Sequence, residues 1–204
     1  YNEINEVFFQ ALISTEDERF YRHKGIDIQG LGAAIKDAFG GHARGASTIS
    51  QQLVKNMFRI RTNTQYGTGL LGKVPGLSIV IMKTKEMAIA VQLELSNEKD
   101  SILTMYANTV DFGSNAFGIK TAAKTYFNKT PAELRVEEAA VLVGLLKATS
   151  TYNPRINPEK SRQRRNVVLE NLYAHRDDMR EHFGHAAIET KAQLDSLKNL
   201  PLEL

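Results

Sequence analysis

The sequence contains no cysteine, which excludes disulfides, a thiol nucleophile and a thiolate metal site. It has no apolar run near the ~18 residues that a membrane span needs, and no signal peptide. Short β-branched runs and internal repeats are lacking too. No histidine cluster has metal-ligand spacing, no Gly-Lys-Ser/Thr phosphate loop occurs, and nothing matches a Ser-His-Asp arrangement. These absences exclude several common chemistries and favour a helical fold.

The 204 residues are 42% hydrophobic and 24% charged, which suffices for one domain with a sizeable core or for two lobes sharing one. The net charge of +3 mildly favours an anionic partner, namely nucleic acid, an anionic membrane or a phosphorylated substrate, without choosing among them. We predict a single all-α domain over residues 1–204. Because the chain begins at Tyr1 without an initiator Met, we expect it to be part of a longer protein.

Apolar residues at helical spacing predict a series of helices. Asp27 is predicted to cap the second helix, with Ile28, Leu31 and Ile35 inward, and Ser47 the third. A glycine-rich loop is expected over 59–76, and the almost wholly apolar helix at 136–148 as the buried centre. The predicted helices are 4–18, one from Asp27 to Gly40, 48–58, 77–95, one ending near 107, one ending near Phe127, 136–148, 159–175 and 185–199.

Glu16 and Asp17 stand at the end of the first amphipathic helix, just before a chain reversal at Gly25. A carboxylate there can face a cleft while the core holds the helix behind it. The alternative is a solvated acidic helix end, with Glu18 and Arg22 paired four residues apart.

Residues 46–56 carry the densest set of hydrogen-bonding side chains. Gln51 and Lys55 share one helix face, while Thr48, Gln52 and Asn56 form a neighbouring stripe. The free N–H groups at the start of this helix favour an anion. The alternative is a surface helix with its polar residues outward and Ile49 and Leu53 toward the core.

Lys83 and Glu86 are three residues apart and therefore lie on one helix face. They are either a surface ion pair or a cation that steadies a diphosphate beside a carboxylate that orients it. Residues 108–127 are interpreted as scaffold. The run Lys160, Arg162, Arg164 and Arg165 is interpreted as a solvated helix face, with a weak contact to a lipid surface as the alternative.

Five blocks, in order over residues 8–175, resemble the peptidoglycan glycosyltransferases, which are the transglycosylase domains of class A penicillin-binding proteins and their monofunctional relatives. The blocks are Glu16-Asp17-x-x-Phe20-x-x-His23-x-Gly25, Gly45-x-Ser47-Thr48-Ile49-x-Gln51-Gln52-x-x-Lys55-Asn56, Lys83-x-x-Glu86, Asn108 through Phe127, and the apolar helix running into Tyr152-Asn153-Pro154.

The resemblance implies a lysozyme-like, two-lobed helical domain whose smaller lobe contacts the membrane. It implies polymerisation of lipid II into β-1,4 glycan, with inversion and release of polyprenyl diphosphate, on the outer face of the bacterial cytoplasmic membrane. Glu16 would be the general base and Glu86 the second carboxylate. The residues that would line the site are Asp17, Ser47, Gln52, Lys55, Asn56 and Lys83.

The resemblance also sets expectations about cofactors and partners. No cofactor is required, with a divalent cation (Mg or Mn) as an option at the diphosphate. Expected partners are lipid II, the growing glycan strand, the membrane surface, moenomycin-type inhibitors and cell-wall synthesis proteins, and no nucleic acid. An N-terminal membrane anchor and a downstream transpeptidase domain are expected in the parent protein.

Met82 departs from the family pattern, which places an arginine just before the lysine. Arg59, Arg61 and Lys73 are the candidates to replace that charge. Two other functions stay open: a lysozyme-like glycan-cleaving enzyme, which would need an acid to protonate a sugar leaving group, and a non-catalytic module that docks on a membrane or a partner.

Overall fold

The computed structural model describes residues 2–39, 45, 47–58 and 77–204, apart from the side chains of residues 35, 38, 39, 77 and 78. Helices dominate these residues, and an isolated antiparallel bridge joins Asp111 to Phe117, so the predicted all-α class is confirmed. The helices are α1 Glu6–Glu16, α2 Ile28–Phe39, α3 Ile49–Phe58, α4 Leu77–Ser96, α5 Lys99–Thr109, α6 Ile119–Phe127, α7 Val136–Leu146, α8 Pro158–Ala174, α9 Arg176–Phe183 and α10 Lys191–Asn199.

The chain forms two compact units. Unit 1 comprises Tyr1–Glu18 and Val110–Leu204, and unit 2 comprises Arg19–Thr109. Among the described helices, none is both long and apolar enough to span a bilayer.

Unit 1 is built around α7. Nearly every residue of this helix is buried, as expected for a helix that is apolar on all sides, and α1 and α8 pack against it. Its start is fixed by Glu138, whose carboxylate accepts the Arg135 N–H at 2.8 Å. The prediction that α7 is the buried centre is confirmed for this unit.

The first helix is held at both ends. Asn5 caps it by accepting the Val7 N–H at 3.2 Å, and the Asn5 amide also donates to the Leu134 carbonyl at 3.0 Å. At the other end, the Asp17 N–H donates to the Ile13 carbonyl at 3.0 Å. These contacts place the acidic residues at the end of α1.

Unit 2 is built on α3, which packs against α4 and α5. Ile49 and Leu53 are fully buried, which confirms the predicted core face, and Val54 is fully buried beside them. Gly25 holds α4 close to the turn before α2: its φ is +85°, and a β-carbon there would lie 2.7 Å from the Ala90 backbone. Only glycine combines this dihedral with so close an approach.

Several predictions were wrong. Thr48, not Ser47, caps α3, because the Thr48 hydroxyl accepts the Gln51 N–H at 3.2 Å. Ile28 is 78% exposed instead of inward. Three helices, not two, follow Pro158. The side chain of Ile35, the Gly40 end of α2 and the loop at 59–76 lie outside the described residues.

Arg165 also departs from its predicted solvated position. It is fully buried, and its guanidinium donates to the carbonyls of Lys198 at 3.0 Å and Pro201 at 3.2 Å. A buried charge needs such partners, and burial lowers the pKa of this guanidinium. Arg165 therefore holds the C-terminal segment against α8.

Candidate active site

The acidic end of α1 belongs to unit 1. Glu16 is the last helical residue and is half-buried, while Asp17 is 7% exposed. The next residue, Glu18, lies with its carboxylate 3.2 Å from the His175 imidazole, whose other nitrogen is 3.7 Å from Asp178. The junction of α8 and α9 thus fixes the helix end that carries Glu16.

His175 was missed by the sequence analysis. It lies far along the chain from Glu18, and no local pattern connects the two residues. A second contact supports the same junction, because the Asn171 amide donates to the Thr15 hydroxyl at 3.4 Å.

At the start of α3, two neighbouring hydroxyl groups have different hydrogen-bond partners. The Thr48 hydroxyl caps the helix and donates to the Gly25 carbonyl at 2.8 Å. The Ser47 hydroxyl accepts from the Lys83 ammonium at 2.9 Å. The helix start is therefore tied both to the Gly25 turn and to α4.

The Lys83 ammonium donates to three oxygens. They belong to Ser47 at 2.9 Å, Gln51 at 3.0 Å and Glu86 at 3.1 Å. The Glu86 side chain is only 1% exposed, so this pair is not the surface ion pair that was one reading of the sequence. A buried carboxylate depends on such a partner, because unpaired it would be costly.

Three further predicted residues follow along α3. Gln52 accepts from the Tyr106 hydroxyl at 3.0 Å and donates to the Ser47 carbonyl at 3.4 Å. Lys55 is half-buried, and within the described part of the chain its ammonium has no hydrogen bond or ion pair. Asn56 is exposed. Lys55 can therefore give its charge to an anionic ligand without breaking a hydrogen bond or ion pair to any of the described residues.

The structure thus brings Ser47, Gln52, Lys83 and Glu86 together in unit 2, with Lys55 and Asn56 farther along α3. Glu16 and Asp17 lie in unit 1. Met82 is half-buried on α4. The three residues predicted to replace its missing charge, Arg59, Arg61 and Lys73, lie outside the described residues.

The optional cofactor was a divalent cation at the diphosphate. Glu86 already faces the Lys83 ammonium at 3.1 Å. Over residues 2–39, 45, 47–58 and 77–204, no group of three or more histidine, aspartate or glutamate side chains could hold a metal ion. The optional divalent cation finds no support in these residues.

Comparison of the sequence with known proteins identifies its family. The sequence model of the family described as transglycosylase matches residues 1–173. Penicillin-binding protein 1F of Bacillus subtilis is 41% identical over 170 residues, which cover 82% of this chain and 22% of that protein. Penicillin-binding protein 1A of Neisseria gonorrhoeae is 39% identical over 169 residues, covering 82% of this chain and 19% of that protein.

A crystal structure of penicillin-binding protein 1A from Haemophilus influenzae matches 52% of this chain and 14% of that chain, at 34% identity and a TM-score of 0.44, which is too low to add to the fold argument. The chain spans about a fifth of the length of the curated relatives it matches. The family match covers most of the sequence. The chain therefore belongs to the transglycosylase family and is a peptidoglycan glycosyltransferase domain.

Proposed function

We propose that this domain polymerises lipid II into β-1,4 glycan strands and releases polyprenyl diphosphate. The observation that carries the proposal is the placement of two lysines in unit 2, with Lys83 fixed beside the first turn of α3 and Lys55 farther along the same helix. A polymerase needs positive charge of this kind for a diphosphate leaving group. A glycan-cleaving enzyme, whose leaving group is a sugar hydroxyl, does not.

The diphosphate is the proposed ligand of Lys55, Lys83 and the N–H groups at the start of α3. Helix N-termini favour anions, and Lys55 adds a charge with no competing contact within the described residues. As the bond between the anomeric carbon and the diphosphate breaks, negative charge grows on the leaving oxygen. Fixed cations stabilise such charge without reorganising.

Glu16 is the proposed general base. The 4-hydroxyl of the acceptor sugar is a poor nucleophile, and it loses its proton to the Glu16 carboxylate as its oxygen bonds to the anomeric carbon. The diphosphate leaves with the electron pair on the opposite side, so the α-linked donor becomes a β-linked product. Base catalysis of this kind contributes about 10²–10⁴-fold.

Glu86 and Asp17 are assigned supporting roles. Because Glu86 is 1% exposed and hydrogen-bonded to Lys83, we assign it to holding the Lys83 ammonium and not to binding a divalent metal ion. Asp17 is buried directly after α1, where it fixes the helix end that presents Glu16. The proposed reaction uses no cofactor.

Contact with the outer surface of the cytoplasmic membrane is proposed for unit 2. Met57 and Phe58 at the end of α3 are 48% and 59% exposed, and Ile79 and Val80 near the start of α4 are 64% and 59% exposed. These exposed apolar pairs support an interfacial contact that would bring the lipid-linked donor to the site.

The test is incubation of the chain with fluorescent lipid II in detergent, followed by gel separation of the products. We expect a ladder of glycan polymer that disappears with moenomycin and with Glu16→Gln. Glu3→Gln is the matched control, since Glu3 is an exposed glutamate of the same unit, and it should leave the ladder intact.

Two outcomes would reject parts of the proposal. A ladder that survives Glu16→Gln would remove Glu16 as the base. If the chain forms no polymer and also binds no labelled moenomycin, the polymerase function itself is rejected.

A further inference from the structure

Gln51 is almost completely buried, at 2% exposure, on the polar side of α3. Its side-chain amide has a donor nitrogen and an acceptor oxygen, and both form hydrogen bonds. The nitrogen donates to the Gly25 carbonyl at 3.2 Å, and the oxygen accepts from the Lys83 ammonium at 3.0 Å. Since the Gly25 carbonyl can only accept, the amide cannot turn over without losing both bonds.

The Gly25 carbonyl is itself held in place. It accepts a second hydrogen bond, from the Thr48 hydroxyl at 2.8 Å. Gly25 packs so closely on α4 that an added β-carbon would lie 2.7 Å from the Ala90 backbone. Gly25 therefore contacts α4 at Ala90, Gln51 bonds Gly25, and Gln51 also bonds Lys83, which is a second residue of α4.

Lys83 has three N–H donors, and each has an acceptor: Ser47, Gln51 and Glu86. An arriving phosphate oxygen can take a donor only by displacing one of these acceptors. The Ser47 hydroxyl can rotate away at little cost. Gln51 is buried and fixed by Gly25, so it stays.

We propose that Gln51 is a positioning residue, which keeps the Lys83 ammonium in place when the diphosphate replaces one of its other partners. The inference rests on the proposed function and adds to it a residue that acts only through Lys83. At 2% exposure, Gln51 itself has almost no surface to offer a substrate.

The experiment is a double-mutant cycle with Gln51→Leu and Lys83→Met, in which kcat and KM for lipid II are measured. Leucine keeps the approximate side-chain volume and removes both hydrogen bonds of the Gln51 amide. Loss of a hydrogen bond to a charged group predicts a fall of about ten- to hundred-fold for Gln51→Leu, mostly in kcat. With Lys83→Met already present, the same change should alter kcat by no more than about twofold.

The matched control is Gln10→Leu. Gln10 is a fully buried helical glutamine in unit 1, whose amide accepts from the Ala187 N–H at 2.7 Å. Gln10→Leu should lower the melting temperature and leave kcat unchanged. Circular dichroism of each variant establishes that it folds at the assay temperature.

A second readout does not depend on activity. The rate at which acetic anhydride modifies Lys83, relative to the exposed Lys120, is followed by peptide mass spectrometry. We expect this rate to rise in Gln51→Leu and to stay unchanged in Gln10→Leu.

The proposal is overturned if the losses from Gln51→Leu and Lys83→Met multiply, if folded Gln51→Leu keeps full kcat, or if Lys83 labelling does not change. If the wild-type chain forms no polymer, the proposed function fails, and the labelling rate alone decides whether Gln51 positions Lys83.

Discussion

Replacing Gly25 with alanine tests the contact on which the geometry of unit 2 depends. The new β-carbon would lie 2.7 Å from the carbonyl carbon and oxygen of Ala90 and 2.8 Å from the Val91 nitrogen. These are backbone atoms of α4, so no side-chain rotation relieves the overlap. The φ of +85° adds strain for any residue with a β-carbon.

The magnitude follows from two contributions to the free energy of unfolding. A left-handed dihedral in a non-glycine residue costs about 1–2 kcal/mol, and forcing an extra methyl group into a packed site costs about 1–3 kcal/mol. Gly25→Ala should therefore lower the free energy of unfolding by about 2–5 kcal/mol. Polymerisation should also fall, because the Gly25 carbonyl holds both Thr48 and Gln51.

Gly184→Ala is the matched control. Gly184 has a similar φ of +76°, but nothing lies within 4 Å of an added β-carbon, so only the strain of about 1–2 kcal/mol applies. Urea denaturation followed by circular dichroism measures both variants. Equal losses for Gly25→Ala and Gly184→Ala would refute the close approach of Gly25 to α4.

Three further predictions concern charged groups. Lys99→Met should lower the free energy of unfolding by about 3–5 kcal/mol, because it removes the ammonium that lies 2.7 Å from the buried Glu94 carboxylate. A melting temperature close to that of the wild type would contradict this. Burial opposes ionisation of Glu138, yet hydrogen bonds from the Arg135 N–H and the Lys129 ammonium lower its pKa below 4.5. The contribution of the Glu138 carboxylate to the free energy of unfolding is therefore complete above pH 4.5 and is lost as pH falls through the lowered pKa. Glu138→Gln should reduce this loss of stability in acid, as measured by urea titrations at several pH values. An unchanged dependence of the free energy of unfolding on pH would exclude this. Arg165→Met should speed amide hydrogen exchange at 198–204, because the guanidinium holds the Lys198 and Pro201 carbonyls of that segment. Unchanged exchange would count against that role.

The local sequence pattern was sufficient to predict a helix and its buried face where the apolar spacing within that helix is clear. The apolar run of α7 predicted both a helix and its burial, because such a helix is stable only inside a core. Ile49 and Leu53 were assigned to the core by spacing alone, and both are fully buried.

The failures at Ser47 and Arg165 have a common physical cause, which is contact with distant residues. Ser47 and Thr48 carry similar capping signals, and the choice follows from Lys83, which bonds Ser47 from another helix. Arg165 stands in a basic run typical of a solvated face, but carbonyls of the C-terminal segment surround its guanidinium. Nothing in the local sequence of either site encodes those partners.

Sequence spacing predicted which polar side chains share a helix face, but not the hydrogen-bond network around them. Sequence spacing put Lys83 and Glu86 on one face, and they are 3.1 Å apart. The same reasoning left Gln51 beside Lys55 and did not show that Gln51 is buried between Gly25 and Lys83. That placement depends on how α3 packs on α4.

The most direct test of glycosyl transfer is the stoichiometry of polyprenyl diphosphate release. Lipid II labelled in both sugar and lipid would be incubated with the chain, and free polyprenyl diphosphate would be counted against new β-1,4 linkages. The proposed reaction predicts one diphosphate released for each linkage formed, and loss of both products in Glu16→Gln. Cleavage of pre-formed glycan without diphosphate release would contradict it.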